Sequence, residues 1–469
     1  MVELESDQTG YCCPLMRIPD NNTTRAARSA VRTLQDKGFT AYFAGGCVRD
    51  WMLKRPATDI DIATDATPES VENLFPVARR IGKAFGVVQV EEGQGRFDVA
   101  TFRRDEGSAD GRHPDFISFS NPEDDAQRRD FTINGLFYDP VANRVHDYVG
   151  GCKHLEQKVV QTIGNPDLRF GEDFLRLLRA VRFASVLEFS LDPATLAGIR
   201  RNAAGIGRIS AERIEQELSR ILLESPRAGE ALHLLLDVGL LPHILPEVAA
   251  MQGQDQPPQF HPEGDVFTHT MMMLDKMENA NLTLAYSVLL HDIAKPVTAT
   301  KTLEPDGTER IRFNRHAQIG ARMATAILER LRLSREQIDV VSHCVGNHMK
   351  FIDVPNMKKS TLRRLVGGGT FEDELRLHRL DCVCSHGNLS NYNFLRKFMD
   401  ETPPAEVLPG RWLSGRDILA LGIPEGPEIG KWLRIAYDAQ LEGSVASREE
   451  LLRWVKIRIV QGTLSENPL

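Results

Sequence analysis

Apolar and polar residues change their spacing along this chain, and each change marks a different kind of element. Residues 1–24 are polar and aperiodic and read as a loose leader. From Ala26 to Lys37 apolar residues recur at Ala27, Ala30, Val31 and Leu34, the spacing of one helix face, and Gly38 supplies the stop. Short β-rich runs follow. Thr40–Ala44, Asp59–Ile62, Val87–Val90, Phe97–Phe102 and Phe116–Phe119 read as strands separated by glycine, proline or charged turns. From Asp167 onward strands nearly vanish, and Glu172–Val186 and Ala211–Leu223 carry apolar residues at helical spacing. Pro257-Pro258 marks a linker, and Pro403-Pro404 with Pro409-Gly410 marks another. The pattern predicts an α+β multidomain chain: a mixed α/β head over 25–155, an all-α neck and body over 156–252, an all-α region over 260–400 and a helical tail over 405–469. No fixed-period repeat is present, which argues against a solenoid.

Composition narrows the class. At 469 residues the chain exceeds one ordinary core, and 42% hydrophobic with 26% charged residues is the balance of a globular protein. No apolar run reaches the roughly 18 to 20 residues that span a bilayer, and the first residues lack the order of a signal peptide, so the expected location is the cytoplasm. The seven cysteines include no C-x-x-C pair and read as scattered reduced thiols. A net charge of −8 argues against a global positive field, so any RNA contact has to be local. Between Arg176 and Arg227 nine arginines face six acids and no lysine, a modest local excess that an ordinary solvated helix would also carry.

The densest chemistry lies in the head. Gly45-Gly46 after a strand lets the backbone approach a ligand closely, the following helix N-terminus presents amides to a triphosphate, and Arg49 adds fixed positive charge. In Asp59-Ile60-Asp61 strand alternation turns both carboxylates to one face, where a divalent cation would relieve their repulsion; hard oxygen donors suit Mg²⁺. Paired acids also occur on ordinary strand edges. The glycine turn nine residues ahead favours the two-metal phosphoryl-transfer reading, with Asp98 as a third candidate carboxylate. Arg128, Arg129, Asp130 and Asn134 form a segment dense in groups for ribose and phosphate, or a solvated charge run opening a helix. Asp173 and Arg176, three apart on one helix face, pair an acceptor with a donor suited to a base edge, or else form intrahelical ion pairs; Arg179 and Arg182 follow on the same helix.

These residues resemble the class II tRNA nucleotidyltransferases, the CCA-adding enzymes, and their relatives the poly(A) polymerases and A-adding enzymes. The resemblance rests on Gly45–Asp50 with Asp59–Asp61, Arg128–Asn134, Asp147–Gly151, Glu172–Arg176 and Arg208–Arg213, in the family's order, over roughly residues 25–250. It implies that Asp59 and Asp61 hold Mg²⁺, that Arg129 and Asp130 hold phosphate and ribose, and that Asp173 with Arg176 selects the base. It further implies template-independent addition of C and then A, from CTP and ATP, to the 3′ end of tRNA. The stretch Arg103–Pro114 is similar to the family's flexible loop, and its glycines and charges suit a mobile lid. Gly135 stands where alanine is usual. An A-only enzyme or a poly(A) polymerase shares these motifs.

Eight of the thirteen histidines fall between His261 and His386. His269, His291, Asp292 and Asp381 resemble the four ligand positions of the HD phosphohydrolase domain, and His316, His343 and His348 resemble extra positions of its binuclear members. The implied chemistry is a phosphatase or cyclic phosphodiesterase dependent on a transition metal, or a scaffold that retains the fold. A chain whose work is done by this domain, with a silent head, is the rival reading from another class. The tail from Arg416 resembles the C-terminal segment of bacterial HD-bearing nucleotidyltransferases. Oligomeric state is not legible.

Overall fold

The structure is a computed structural model that describes residues 16–57, 59–81, 86–106, 116–257, 261–303 and 309–461. The chain divides into two compact units, Met1–Ala250 with Glu329–Leu333 and Met251–Leu328 with Ser334–Leu469.

The first unit opens with helix α1 (Asn22–Gln35), which begins inside the expected leader because Asn21 caps it, its side chain accepting from Thr24 N at 2.9 Å. A seven-stranded sheet follows in the order β3-β4-β5-β2-β1-β8-β9, formed by β1 (Ala41–Ala44), β2 (Asp61–Thr64), β3 (Ala78–Ile81), β4 (Val87–Glu92), β5 (Gly95–Thr101), β8 (Leu136–Asp139) and β9 (Arg144–Asp147). A separate hairpin joins β6 (Arg103–Glu106) to β7 (Phe116–Phe119); the rest of the expected loop, 107–114, lies outside the described residues. Strands β2 and β5 run parallel, and the pairings Phe43↔Ile62 and Ile62↔Val99 put three fully buried side chains on one sheet face. Alternation then turns Ala44, Asp61 and Asp98 to the other face. That face carries a second apolar cluster of Ala44, Ala63, Phe102 and Phe137 under Ala126 of helix α4 (Pro122–Gln127), so the acidic end of β2 is left facing outward.

Two sequence expectations need correction here. Strand β2 starts at Asp61, so Asp59 and Ile60 belong to the approach to the strand. The helix expected over Glu172–Val186 is broken into α6 (Pro166–Glu172) and α7 (Leu175–Leu187), with Asp173 extended at φ −155° and ψ 105°. The break has a local cause: the Asp173 carboxylate accepts from Leu175 N at 3.0 Å, competing with a helical hydrogen bond. Helix α9 (Ala211–Glu224) packs on α7.

The second unit is mostly helical. Val266–Asp275, Leu282–Leu290, Arg335–Asn347 and Phe371–Cys384 form its centre, and the tail helices Pro427–Glu442 and Arg448–Val460 bury Trp432, Leu451 and Val455. A hairpin, Ala299–Leu303 with Glu309–Phe313, interrupts a stretch read as helical throughout. Its β-branched and aromatic residues alternate with charges that mask the strand pattern. No helix among the described residues is long and apolar enough to cross a membrane. Cys47, Cys344, Cys382 and Cys384 are free and buried, whereas Cys152 is disulfide-bonded, against the expectation of reduced thiols throughout.

Candidate active site

Strand β1 ends at Ala44, and Gly45 turns the chain with φ +71° into helix α2 (Gly46–Met52). A side chain at Gly45 would be strained and would place Cβ 2.7 Å from Arg129 Nη1, so the turn brings backbone and guanidinium into direct contact. Arg49 is buried; its Nη1 donates to Asn134 Oδ1 at 2.7 Å, its Nε donates to Asp50 at 2.8 Å, and its guanidinium lies over Phe183. The arginine is therefore fixed before any ligand arrives.

Asp61 pairs with Ala44 across the sheet and faces the same cleft as Asp59. Burial pushes the Asp61 carboxyl up; Arg129 opposes this, and Asp98 and Asp59 add to the rise. Like charges held together with one guanidinium in opposition form a donor set of hard oxygens that fits a divalent cation. Asp98 contributes charge from β5, where Gln89 Nε2 donates to its Oδ1 at 3.0 Å, but it does not line the cleft.

Asp130 is buried and engaged on both oxygens. Oδ1 accepts from Phe131 N at 2.8 Å and Asn134 Nδ2 at 2.9 Å, while Oδ2 accepts from Arg179 Nε at 2.8 Å. Burial alone would raise its pKa, but Arg179, with help from Asn134 and Arg176, holds the carboxyl well below the usual carboxylate range. Arg182 pairs with Glu217 at 2.6 Å, both side chains buried, so these arginines of α7 are anchored from α9. Sequence reasoning missed Glu217; no local motif marks it, since its partner lies 35 residues away.

Asp173 and Arg176 reach the cleft through different partners. Asp173 Oδ2 accepts from Arg213 Nη2 at 2.7 Å, whereas Arg176 bonds Glu172 at 2.6 Å and the Arg128 carbonyl at 3.2 Å. The shared helix face is thus replaced by a helix break, and Arg176 pairs across that break with Glu172 at the end of α6, while the alternative pair within one helix, Asp173 with Arg176, gives way to Asp173 with Arg213. Arg213 sits within a motif singled out above but was not named for the site; Asp125 and Arg220 were also missed.

Gly45, Gly46, Arg49, Asp59, Asp61, Arg128, Arg129, Asp130, Asn134, Asp173, Arg176, Arg179 and Arg182 meet in one cleft of about 520 Å³, with Asp98, Asp125, Glu172 and Glu217 standing outside its lining.

In the second unit His269, His291 and Asp381 offer atoms within 4.8 Å of one another, as do Asp292, His316 and His348. Burial would lower His269, but Asp381 and Glu263 on its two nitrogens outweigh that and push it up to about 9. Burial would raise Asp292, but His291 and Lys295 hold its carboxyl well below the usual range. His348 is lowered to about 4 by burial. The mixed imidazole and carboxylate donors fit a transition metal. His343 is not brought into these groups; its Nε2 lies 3.2 Å from Glu374, and its side chain is 54% exposed. His261 and Glu263 form a third such group with His269 that the sequence reading missed, five and three residues upstream of the helix that carries His269. A cavity of about 740 Å³ opens onto Asp292, His316, His348 and Asp381.

Comparison with known proteins matches three families along the chain: "Poly A polymerase head domain" over residues 41–161, "Probable RNA and SrmB-binding site of polymerase A" over 188–252, and "HD domain" over 265–380. The chain is 42% identical over 219 residues to a CCA-adding enzyme of Geobacillus sp. strain WCH70, covering 46% of this chain and 54% of that protein. It is 40% identical over 215 residues to a CCA-adding enzyme of Lactobacillus helveticus, covering 46% and 53%. The matched region therefore spans about half the length of these curated relatives. Among solved structures, the Bacillus stearothermophilus CCA-adding enzyme in complex with CTP superposes with a TM-score of 0.72 at 25% identity, covering 94% of this chain and 99% of that one. A Thermotoga maritima CCA-adding enzyme complexed with tRNA shares the fold, with a TM-score of 0.59 at 20% identity over 92% and 94% of the two chains.

Proposed function

We propose that this chain, a member of the class II tRNA nucleotidyltransferase and poly(A) polymerase family with a C-terminal HD domain, adds C and then A to the 3′ end of tRNA without a nucleic-acid template. One observation carries the reading: a glycine turn, the carboxylates of Asp59 and Asp61, a set of fixed arginines and Asp173 line a single cleft. The reaction is attack of the primer's 3′ hydroxyl on the α-phosphorus of CTP or ATP, with diphosphate leaving.

Asp59 and Asp61 would hold Mg²⁺, which when bound supplies charge neutralisation at the attacking and leaving oxygens. The chain's own residues do the remaining work. The Gly45-Gly46 turn admits the triphosphate to the backbone, and Arg128 and Arg129 oppose its charge. Asp130 keeps Arg179 and Asn134 in place, and Asp173 and Arg176, braced by Arg213 and Glu172, present an acceptor and a donor to the incoming base. The division of labour we propose is a head from helix α1 to residue 155, neck and body at 156–252 gripping the tRNA acceptor end, HD domain at 260–400 and tail at 405–469. A cytoplasmic location goes with that substrate.

The test is incubation of purified protein with tRNA ending before, within and after the terminal CCA, with CTP alone, ATP alone or both. Stepwise completion to CCA supports the reading. Addition of A only, or of long A tracts, replaces it with the A-adding or poly(A) reading.

The set of His269, His291, Asp292 and Asp381, of which Asp292 and Asp381 line a large cavity, favours a second activity, metal-dependent hydrolysis of phosphomonoesters or cyclic phosphates. A His291→Ala, Asp292→Ala double variant should lose bound transition metal and any phosphatase activity while retaining nucleotide addition. Unchanged hydrolysis, with no metal bound to the wild type, would reject it. Retention of hydrolysis alone in a wild type that extends no tRNA would favour the silent-head alternative.

A further inference from the structure

We propose that Asp125 is a positioning residue for nucleotide addition, whose carboxylate aims the guanidinium groups of Arg128 and Arg129 into the cleft before the triphosphate arrives. The inference rests on the transfer reading above and adds a residue to it. Asp125 lies on α4, is buried, and does not line the cleft. Its two oxygens divide their work. Oδ1 accepts from Arg128 Nε at 2.8 Å and lies 2.7 Å from Arg128 Nη2, while Oδ2 accepts from Arg129 Nη2 at 3.1 Å and Nε at 3.3 Å. One carboxylate thus bridges two adjacent guanidinium groups that would otherwise repel each other and swing apart.

The consequence for the cleft follows from where Arg129 is left. With its Nε and Nη2 edge held by Asp125, its Nη1 donates to the Asn134 carbonyl at 3.2 Å, and its guanidinium lies over Phe137 and against Gly45. It is therefore a cation that both touches the glycine turn and opposes the charge of Asp61, the two features that a triphosphate would span. Asp125 is itself held from the other side, since Arg103 N at the start of β6 donates to its Oδ1 at 3.3 Å. The neighbouring Asp124 ties the same helix to Ser120 and to Arg104, the latter at 2.8 Å. The bridge is consequently rigid at its base. Burial would raise the Asp125 carboxyl, but Arg129 and Arg128 keep it ionised, so the negative charge that aims them is present across the working pH range.

A purely structural role would lower stability without altering how nucleotide is bound, and steady-state kinetics separate the two. With a tRNA lacking its terminal A, Asp125→Asn should raise the KM for ATP by about tenfold, the cost of releasing a charged hydrogen-bonded pair, while the KM for tRNA stays within about twofold. The effect should be absorbed by Arg129: in an Arg129→Gln background the same substitution should change the ATP KM by less than about twofold. If Asp125→Asn does not fold, Asp125→Glu, which keeps the charge but displaces both guanidinium groups, takes its place with the same expectation. An unchanged ATP KM in a folded variant, or effects of Asp125 and Arg129 that multiply independently, overturns the proposal while wild-type extension keeps the transfer reading intact. A wild type that extends no tRNA overturns both.

Discussion

Replacing Asp61 by asparagine separates what the acidic pair does for catalysis from what it does for stability. Asp61 faces the cleft beside Asp59, with Asp98 close enough to push it up and Arg129 opposing. Without a cation the amide removes repulsion from two like charges, so Asp61→Asn should leave stability unchanged or raise it by less than about 1 kcal/mol. The cation reverses the order. Magnesium at about a hundred times its dissociation constant should stabilise a protein that binds it by about 2.7 kcal/mol, and Asp61→Asn should forfeit that gain. Incorporation of nucleotide should fall by about a thousandfold, equivalent to about 4 kcal/mol of transition-state stabilisation. The assay is denaturant unfolding with and without magnesium, run beside tRNA extension. Both are best made in a His291→Ala, Asp292→Ala background, so that the histidine-rich unit contributes no cation effect of its own. An Asp61→Asn protein that keeps more than about a tenth of the extension rate, or that gains as much from magnesium as its parent, would refute the reasoning.

Gly45→Ala combines a strained backbone at φ +71° with a Cβ 2.7 Å from Arg129 Nη1, so extension should fall at least about tenfold, chiefly through a raised nucleotide KM; unchanged kinetics would mean that Arg129 gives way at no cost. Glu217→Gln leaves buried Arg182 without its partner and should cost about 3 to 5 kcal/mol in urea unfolding of the first unit, and a loss under about 1 kcal/mol would show that the arginine finds water. Because the Asp130 carboxyl is held below its ordinary value of 3.8, the stability it contributes is fully present above that value and is lost progressively as pH falls below it toward the lower folded-state value. Urea midpoints should therefore drop between about pH 5 and pH 3 in the wild type and less steeply in Asp130→Asn; parallel slopes would remove Asp130 as the cause.

Local sequence determined a good deal about this protein. The glycine turn, the acid pair and the Arg128–Asn134 run were legible because each acts over a few residues, and short-range spacing decides which side chains share a face. The buried His269, His291 and Asp292 and the partly buried Asp381 were likewise marked by residue type and order. Tertiary structure decided the rest. Helix periodicity carried α7 back through Asp173, yet the chain breaks there and Asp173 meets Arg213, 40 positions away. The family's motif implies Asp130 as a ribose ligand, but nothing in its neighbourhood along the chain marks Arg179, 49 positions away, as the group that orients it. His343 fits a ligand pattern by residue type and projects instead toward Glu374. In each case the deciding partner comes from another element, and a buried charge takes whichever counter-charge packing brings within hydrogen-bond reach, because leaving it unpaired costs several kcal/mol. Spacing along the chain sets which residues carry the chemistry; the cost of burying charge sets which of them touch.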